Sequence, residues 1–215
     1  MHVYLGATRK RSFIERIQQM GWGRLWADRF PTAYQCELTP SWVLDNNVYA
    51  ETFNGGKMDG RWDWDAWDRK IELIEERDLY PDFAVLPDVI GNAEQSFLQT
   101  EYYFQRLICG CHHEAEALAH AFVVQDGMMP HTIGAWLDEW QDWIQVLFLG
   151  GSDDFKATAP AWAAFAHSRG MSLHYGRAGT PAKVRHAIDS GADSLDSAFP
   201  LWKQERFDEF VELFN

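Results

Sequence analysis

Long apolar runs are missing from this 215-residue sequence. None approaches the roughly 20 residues needed to cross a bilayer. The opening MHVYLGATRKRS turns basic after six residues, unlike a secretory leader. Cysteine is scarce too: with only Cys36, Cys109 and Cys111, no disulfide framework can be drawn, which fits a reducing compartment. A soluble, cytoplasmic protein is expected. Basic charge is also short, since 19 Lys and Arg against 32 Asp and Glu leave a formal charge of −13. That balance argues against a simple polyanion binder.

Apolar and aromatic side chains are abundant, at 47% and 15%, so the chain is expected to fold rather than stay disordered. Its length suits a single domain, residues 1–215, with a substantial core. The run CGCHH (109–113) sets two thiols beside two imidazoles. Closed zinc sites usually draw on two separated ligand pairs, and adjacent His112 and His113 do not easily reach one ion. The run therefore reads as a polar helix end. No metal or cofactor is expected.

Eight apolar segments of strand length recur along the chain. They are HVYLGA (2–7), GRLWAD (23–28), WVLDN (42–46), DFAVLPD (82–88), AFVVQD (121–126), IQVLFLGG (144–151), SLHYGR (172–177) and DSLDSA (193–198). They run apolar continuously rather than alternating, as strands covered on both faces do. Between most of them lie helical faces: Phe13, Ile14, Ile17 and Met20; Trp64, Trp67, Ile71 and Ile74; Phe97, Phe104, Leu107 and Ile108; Trp162 and Phe165; Val184, Ala187 and Ile188. Phe207, Phe210, Val211 and Phe214 form the last. Residues 29–41, with two prolines and no helical period, are the weak link. The expected fold is α/β, a single-domain (β/α)8 TIM barrel with an irregular second βα unit. A doubly wound open sheet is the alternative.

In such a barrel the active site forms at the carboxyl ends of the strands. Several segments carry polar or glycine residues there: Asp45, Asp88, Gln125, Gly150 with Gly151, and Asp196. Each has a bland reading as a cap or turn residue, but five at one edge are harder to dismiss. In GRAGTP (176–181), Gly176 and Gly179 suit a tight turn, Thr180 an N-cap and Pro181 the first helical position. A helix start of this kind also exposes amides to a phosphate. Arg9, Lys10 and Arg11 follow the first strand, Lys57 and Arg61 the third, Arg177 and Lys183 the seventh. A locally positive mouth on an acidic body could receive a nucleic-acid strand, weakly and with strong salt dependence.

LHYGRAGTPAKVRHAIDSGADSLDSAFP resembles the end of the barrel in the tRNA-guanine transglycosylases, where a G-x-G-T-P turn, a helix and a G-x-D-x-x-D strand follow in that order. FVVQDG, LFLGGS, FAVLPD and WVLDNN are similar to that family's V-Q-G, G-G, D and D-S-G strand ends, so the likeness runs from about residue 42 onward. It implies base exchange at a glycosidic bond, in which guanine leaves and a 7-deazaguanine takes its place. By resemblance Asp196 is the nucleophile and Asp45 the general acid/base. Asp88, Gln125 and the Gly150 and Gly151 amides read the guanine edge. From the charge placement and the turn described above, Arg9, Lys10, Arg11, Gly176, Arg177 and Gly179 are the expected contacts to the nucleic-acid backbone. Asp193, three residues before the nucleophile, is expected to support the turn or a neighbouring amide.

The sequence departs from the tRNA enzymes in two places. Their C-x-C-x-x-C zinc cluster does not follow the last matched strand, and D-S-G-G has become Asp45-Asn46-Asn47. A reduced barrel without zinc looks more like the phage and bacterial DNA-guanine transglycosylases, which favours DNA over tRNA. Other functions remain open: a lyase or aldolase acting on a sugar phosphate through Lys156, or a silent barrel that binds a nucleobase or another protein. A metal hydrolase fits less well, because only His174 among the histidines falls in a barrel strand. A homodimer, or a partner protein adding grip on nucleic acid, is left open.

Overall fold

The computed structural model describes residues 1–27, 29–46, 63–109 and 118–215. Eight parallel strands close into a barrel in chain order. They are β1 (His2–Gly6), β2 (Gly23–Trp26), β3 (Trp42–Leu44), β4 (Phe83–Val85), β5 (His120–Val124), β6 (Ile144–Leu149), β7 (Ser172–Tyr175) and β8 (Ser194–Ser197). β8 closes onto β1 with Leu195 opposite Val3 and Asp196 opposite Tyr4. The fold is therefore the expected (β/α)8 barrel, and the open sheet is excluded. Most strands stop short of their expected ends: Asp45, Gln125 and Gly150 lie one residue past the end of their strands and Asp88 three, on the loops.

The continuous apolar runs divide between two cores by the period of two. Tyr4, Val43, Phe83, Val85, Ala121, Val123, Val146 and Phe148, with Leu25 against them, pack inside the barrel. Their neighbours Val3, Leu5, Leu44, Ala84, Phe122, Leu147 and Leu195 pack outward against the helices. Those helices are α1 (Arg11–Gln19), α2 (Ala33–Leu38), α3 (Trp64–Arg77), α4 (Ala93–Ile108), α5 (Pro130–Trp140), α6 (Asp153–Lys156), α7 (Ala159–Ser168), α8 (Pro181–Asp189) and α9 (Gln204–Val211). Asp63, Asn92, Ser152 and Thr180 cap α3, α4, α6 and α8 by accepting a backbone N–H in the first turn. Trp42, Trp67 and Trp162 are almost fully buried in the outer core, where truncation of one to Ala would cost about 3–5 kcal/mol.

Three expectations need correction. The segment 29–41 is not wholly irregular: Thr32 and Gln35 form a reciprocal capping box that starts α2. This local signal outweighs the missing apolar period, but α2 buries no residue fully. Met20 and Ile108, assigned to buried faces, are exposed because one caps the end of α1 and the other ends α4. Among the described residues no helix is long and apolar enough to cross a membrane.

Candidate active site

Continuing the period of two beyond the inner core brings the next side chain of several strands to the carboxyl end of the barrel. Val43 leads to Asp45, Val123 to Gln125, Phe148 to Gly150 and Ser194 to Asp196. These residues, with Ala27, Asn46, Asp88, Ile90, Gly151 and Arg177, line one cavity of about 140 Å³, floored by Val85, Val123 and Phe148. An engineered cavity of about 150 Å³ takes up one benzene molecule. This one also opens at the mouth, so a planar heterocycle can enter edge first. All six residues expected to act on the sugar or the base (Asp45, Asp88, Gln125, Gly150, Gly151 and Asp196) meet here.

Asp196 is held at one oxygen. Its Oδ1 accepts from the Arg177 N–H (2.9 Å) and from His174 Nε2 (3.1 Å). A carboxylate can only accept, so Nε2 carries a proton, and Nδ1 meets the Ser194 hydroxyl at 2.8 Å. His174 is fully buried between the Tyr4, Phe83 and Phe148 rings, which fixes its plane. Among the described residues nothing donates to Asp196 Oδ2, and the side chain keeps 13% exposure. One oxygen is anchored and the other is available. Asp193, by contrast, points out at the opposite end of β8, where it accepts from the Leu173 N–H at 2.8 Å and from His167 at 2.8 Å.

Asp88 lies deep, 8% exposed. Asn46 Nδ2 donates to its Oδ1 at 2.6 Å and Gln125 Nε2 donates to its Oδ2. Burial pushes the Asp88 carboxyl up to about 7, against the pull of the Asn46 donor; the Asp45 charge adds to the rise and Arg177 opposes it. Asp88 is thus poised between acid and carboxylate near neutral pH. Asp45 begins the loop after β3, half-buried, and its N–H continues the ladder to Trp26 O at 2.8 Å.

The expected readers of the base edge need qualification. Gln125 Oε1 accepts from the Gly91 N–H at 2.7 Å, which fixes the amide orientation, and Nε2 donates to both Asp88 and Ser96. Its donors are engaged inside the protein, so Gln125 acts through Asp88. The Gly150 N–H is likewise bonded to Val124 O at 3.0 Å, whereas nothing among the described residues accepts from the Gly151 N–H. Gly151 has φ +73°, and a Cβ there would lie 2.7 Å from both Asp126 Oδ2 and Phe155 Cδ1, so only glycine fits. Asp126 pins this turn by accepting from the Ser152 N–H at 2.7 Å.

The expected backbone contacts divide as well. Gly176 N–H goes to Leu149 O and Gly179 N–H to Arg177 O, so neither amide is open to a phosphate. Gly176 is required for another reason: a Cβ would lie 2.4 Å from Phe148 Cε1. Arg177 adopts φ 55°, a strained left-handed conformation for a side-chain-bearing residue. Its Nη2 donates to Gly151 O at 2.9 Å, tying the β6 and β7 loops together at the cavity. Arg9, Lys10 and Arg11 are exposed and do not line the cavity; Arg11 pairs with Glu15 at 2.7 Å. Lys57, Arg61, Cys111, His112 and His113 lie outside the described residues. Cys109 is an exposed cap of α4, and the described residues contain no cluster suited to a metal ion.

Lys156 ends α6, is buried, donates to Gly176 O and does not line the cavity. Burial and the Arg177 charge lower its ammonium to about 7. An amine turned away from the cavity is badly placed to attack a carbonyl there. The sequence reading did not single out Asn46, Ser96 and His174 as supports of the acids. The inward phase of β7 was the one signal for His174. No protein-family model and no curated protein matches this chain, so the likeness to transglycosylases rests on the motifs alone.

Proposed function

We propose that the protein exchanges guanine in a nucleic acid, DNA in preference to tRNA, for a 7-deazaguanine base. Asp196 Oδ2 attacks the anomeric carbon as the bond to guanine breaks, giving a covalent aspartyl-glycosyl intermediate. Asp45 gives the departing base its proton. It then takes the proton from the incoming 7-deazaguanine, whose nitrogen displaces the Asp196 oxygen. Asp88, as carboxylate, accepts from the N–H groups of the guanine edge, and the Gly151 N–H meets the carbonyl oxygen.

One observation carries this function: carboxylates from the ends of β3, β4 and β8 line a single cavity of ring size, one of them anchored through only one oxygen. Retaining glycosyl transfer needs a fixed carboxylate with a free oxygen beside a second acid. Guanine-labelled duplex DNA, or tRNA, incubated with protein and a 7-deazaguanine should release guanine. Asp196→Ala should cut release by about 10⁴-fold or more while the unfolding midpoint stays close to that of the wild type. Equal release by Asp196→Ala would remove the nucleophile, and no release by the wild type from either nucleic acid would overturn the function.

A further inference from the structure

A second cavity lies outside the barrel wall, where α2 covers the sheet poorly. It measures about 490 Å³, within the usual range for small-molecule sites. It is bounded by Thr8 and Arg9 after β1, by Arg24 and Trp26 on the outer face of β2, and by Arg29 and Phe30 before α2. Arg24 is fully buried. Its Nη2 donates to Thr8 O at 2.8 Å and its guanidinium lies 4.3 Å over the Trp26 ring. Nothing among the described residues accepts from Nε or Nη1. Among the described residues, no carboxylate pairs with Arg24 or Arg9, in a chain where acids outnumber bases 32 to 19. Among the described residues, the one titratable group whose charge acts on Arg24 is the Cys36 thiol.

A buried guanidinium without an anion is unfavourable, and folds rarely keep one without use. From the Arg24 fork in the cavity wall, with Arg9 and Arg29 beside it, we infer a binding site for a phosphate group at the second βα unit. Arginine forks match the oxygens of a phosphate in geometry and charge, and a phosphate would take up the donors that Arg24 leaves unmatched. The cavity has room for the phosphate with part of the ester that carries it. That phosphate belongs either to a free ester or to the backbone of a nucleic-acid strand. The inference does not depend on base exchange, because no residue of this site lines the barrel mouth.

The test is calorimetric titration of the wild type, Arg9→Gln and Arg24→Met with inorganic phosphate, a nucleoside monophosphate and a short DNA duplex. Saturable binding in the wild type should weaken at least about tenfold in each variant. Arg24→Met keeps the volume of the wall, and without ligand its thermal midpoint should equal or exceed that of the wild type, since an uncompensated charge has gone. Arg9→Gln is exposed and cannot lose binding by unfolding. Binding of the monophosphate identifies a free ester, and binding of the duplex alone identifies a strand; either supports the site. No saturable binding to any of the three, or an affinity equal to that of the wild type in both variants, overturns it.

Discussion

The two ends of the barrel are built on the same alternation and end differently. At the amino end, the Tyr4 hydroxyl donates to Asp82 at 2.7 Å, Ser41 donates to the same oxygen, and His2 Nε2 meets Ser41 at 2.8 Å. The Tyr4, Phe83 and His174 rings fill the layer above, and the acid is held by its neighbours. At the carboxyl end the equivalent layer is drawn from Ala27, Gly150 and Gly151 as well as acids, and the missing side-chain volume is the cavity. Carboxylates occur at both ends. What sets the candidate site apart is the space left beside them, together with burial that raises Asp88.

The comparison can be broken in order of effect. The largest change should come from titrating Asp88. Its folded value of about 7 stands above the ordinary 3.8, so the folded protein holds a proton that the unfolded chain releases between these limits. Its contribution to stability is therefore present below about pH 4 and is lost as the pH rises through 7. Relative to Asp88→Asn, the wild type should gain up to a few kcal/mol between pH 7 and pH 4, read by urea unfolding. A difference that stays constant with pH would show that burial does not raise Asp88.

Closing the mouth from its side should have the next effect. Gly176→Ala forces Phe148, part of the cavity floor, to move, and should cost about 1–3 kcal/mol while weakening purine binding. Purine affinity as tight as wild type would show that the floor can shift freely. The smallest effect belongs to the closed end: Tyr4→Phe loses one hydrogen bond to an exposed acid and should cost about 1 kcal/mol. Guanine release should be unchanged; a loss there would mean the two ends are coupled through the Tyr4–His174 contact.

Much of the barrel was legible because each strand is a short apolar run ending in a polar or glycine residue. Asp193 and Asp196 separate for the same reason: three residues apart on a strand, they face opposite ways, and only Asp196 shares the inward phase of His174 and Ser194. What was not legible depends on contacts between distant segments. Asn46 looked like a lost glycine and proves to be a donor to Asp88, 42 residues away. Gln125 looked like a donor to a ligand and instead holds Asp88 and Gly91. Arg24 looked like one residue of an apolar strand. Its burial against Thr8 and the Trp26 ring, with no acid beside it among the described residues, depends on neighbours that the strand pattern does not reveal.

By itself the order of apolar and polar residues determined the barrel, the edge where its acids gather and the inward phase of Asp45, Gln125 and Asp196, because strand geometry repeats every two residues and needs only local information. Only the tertiary structure decided which donors are already engaged, which oxygen of Asp196 is open, how far Asp88 is raised and where a second cavity remains. Those properties arise from hydrogen-bond pairing, desolvation and unfilled volume between strands and loops that are distant in sequence, and no local pattern encodes them.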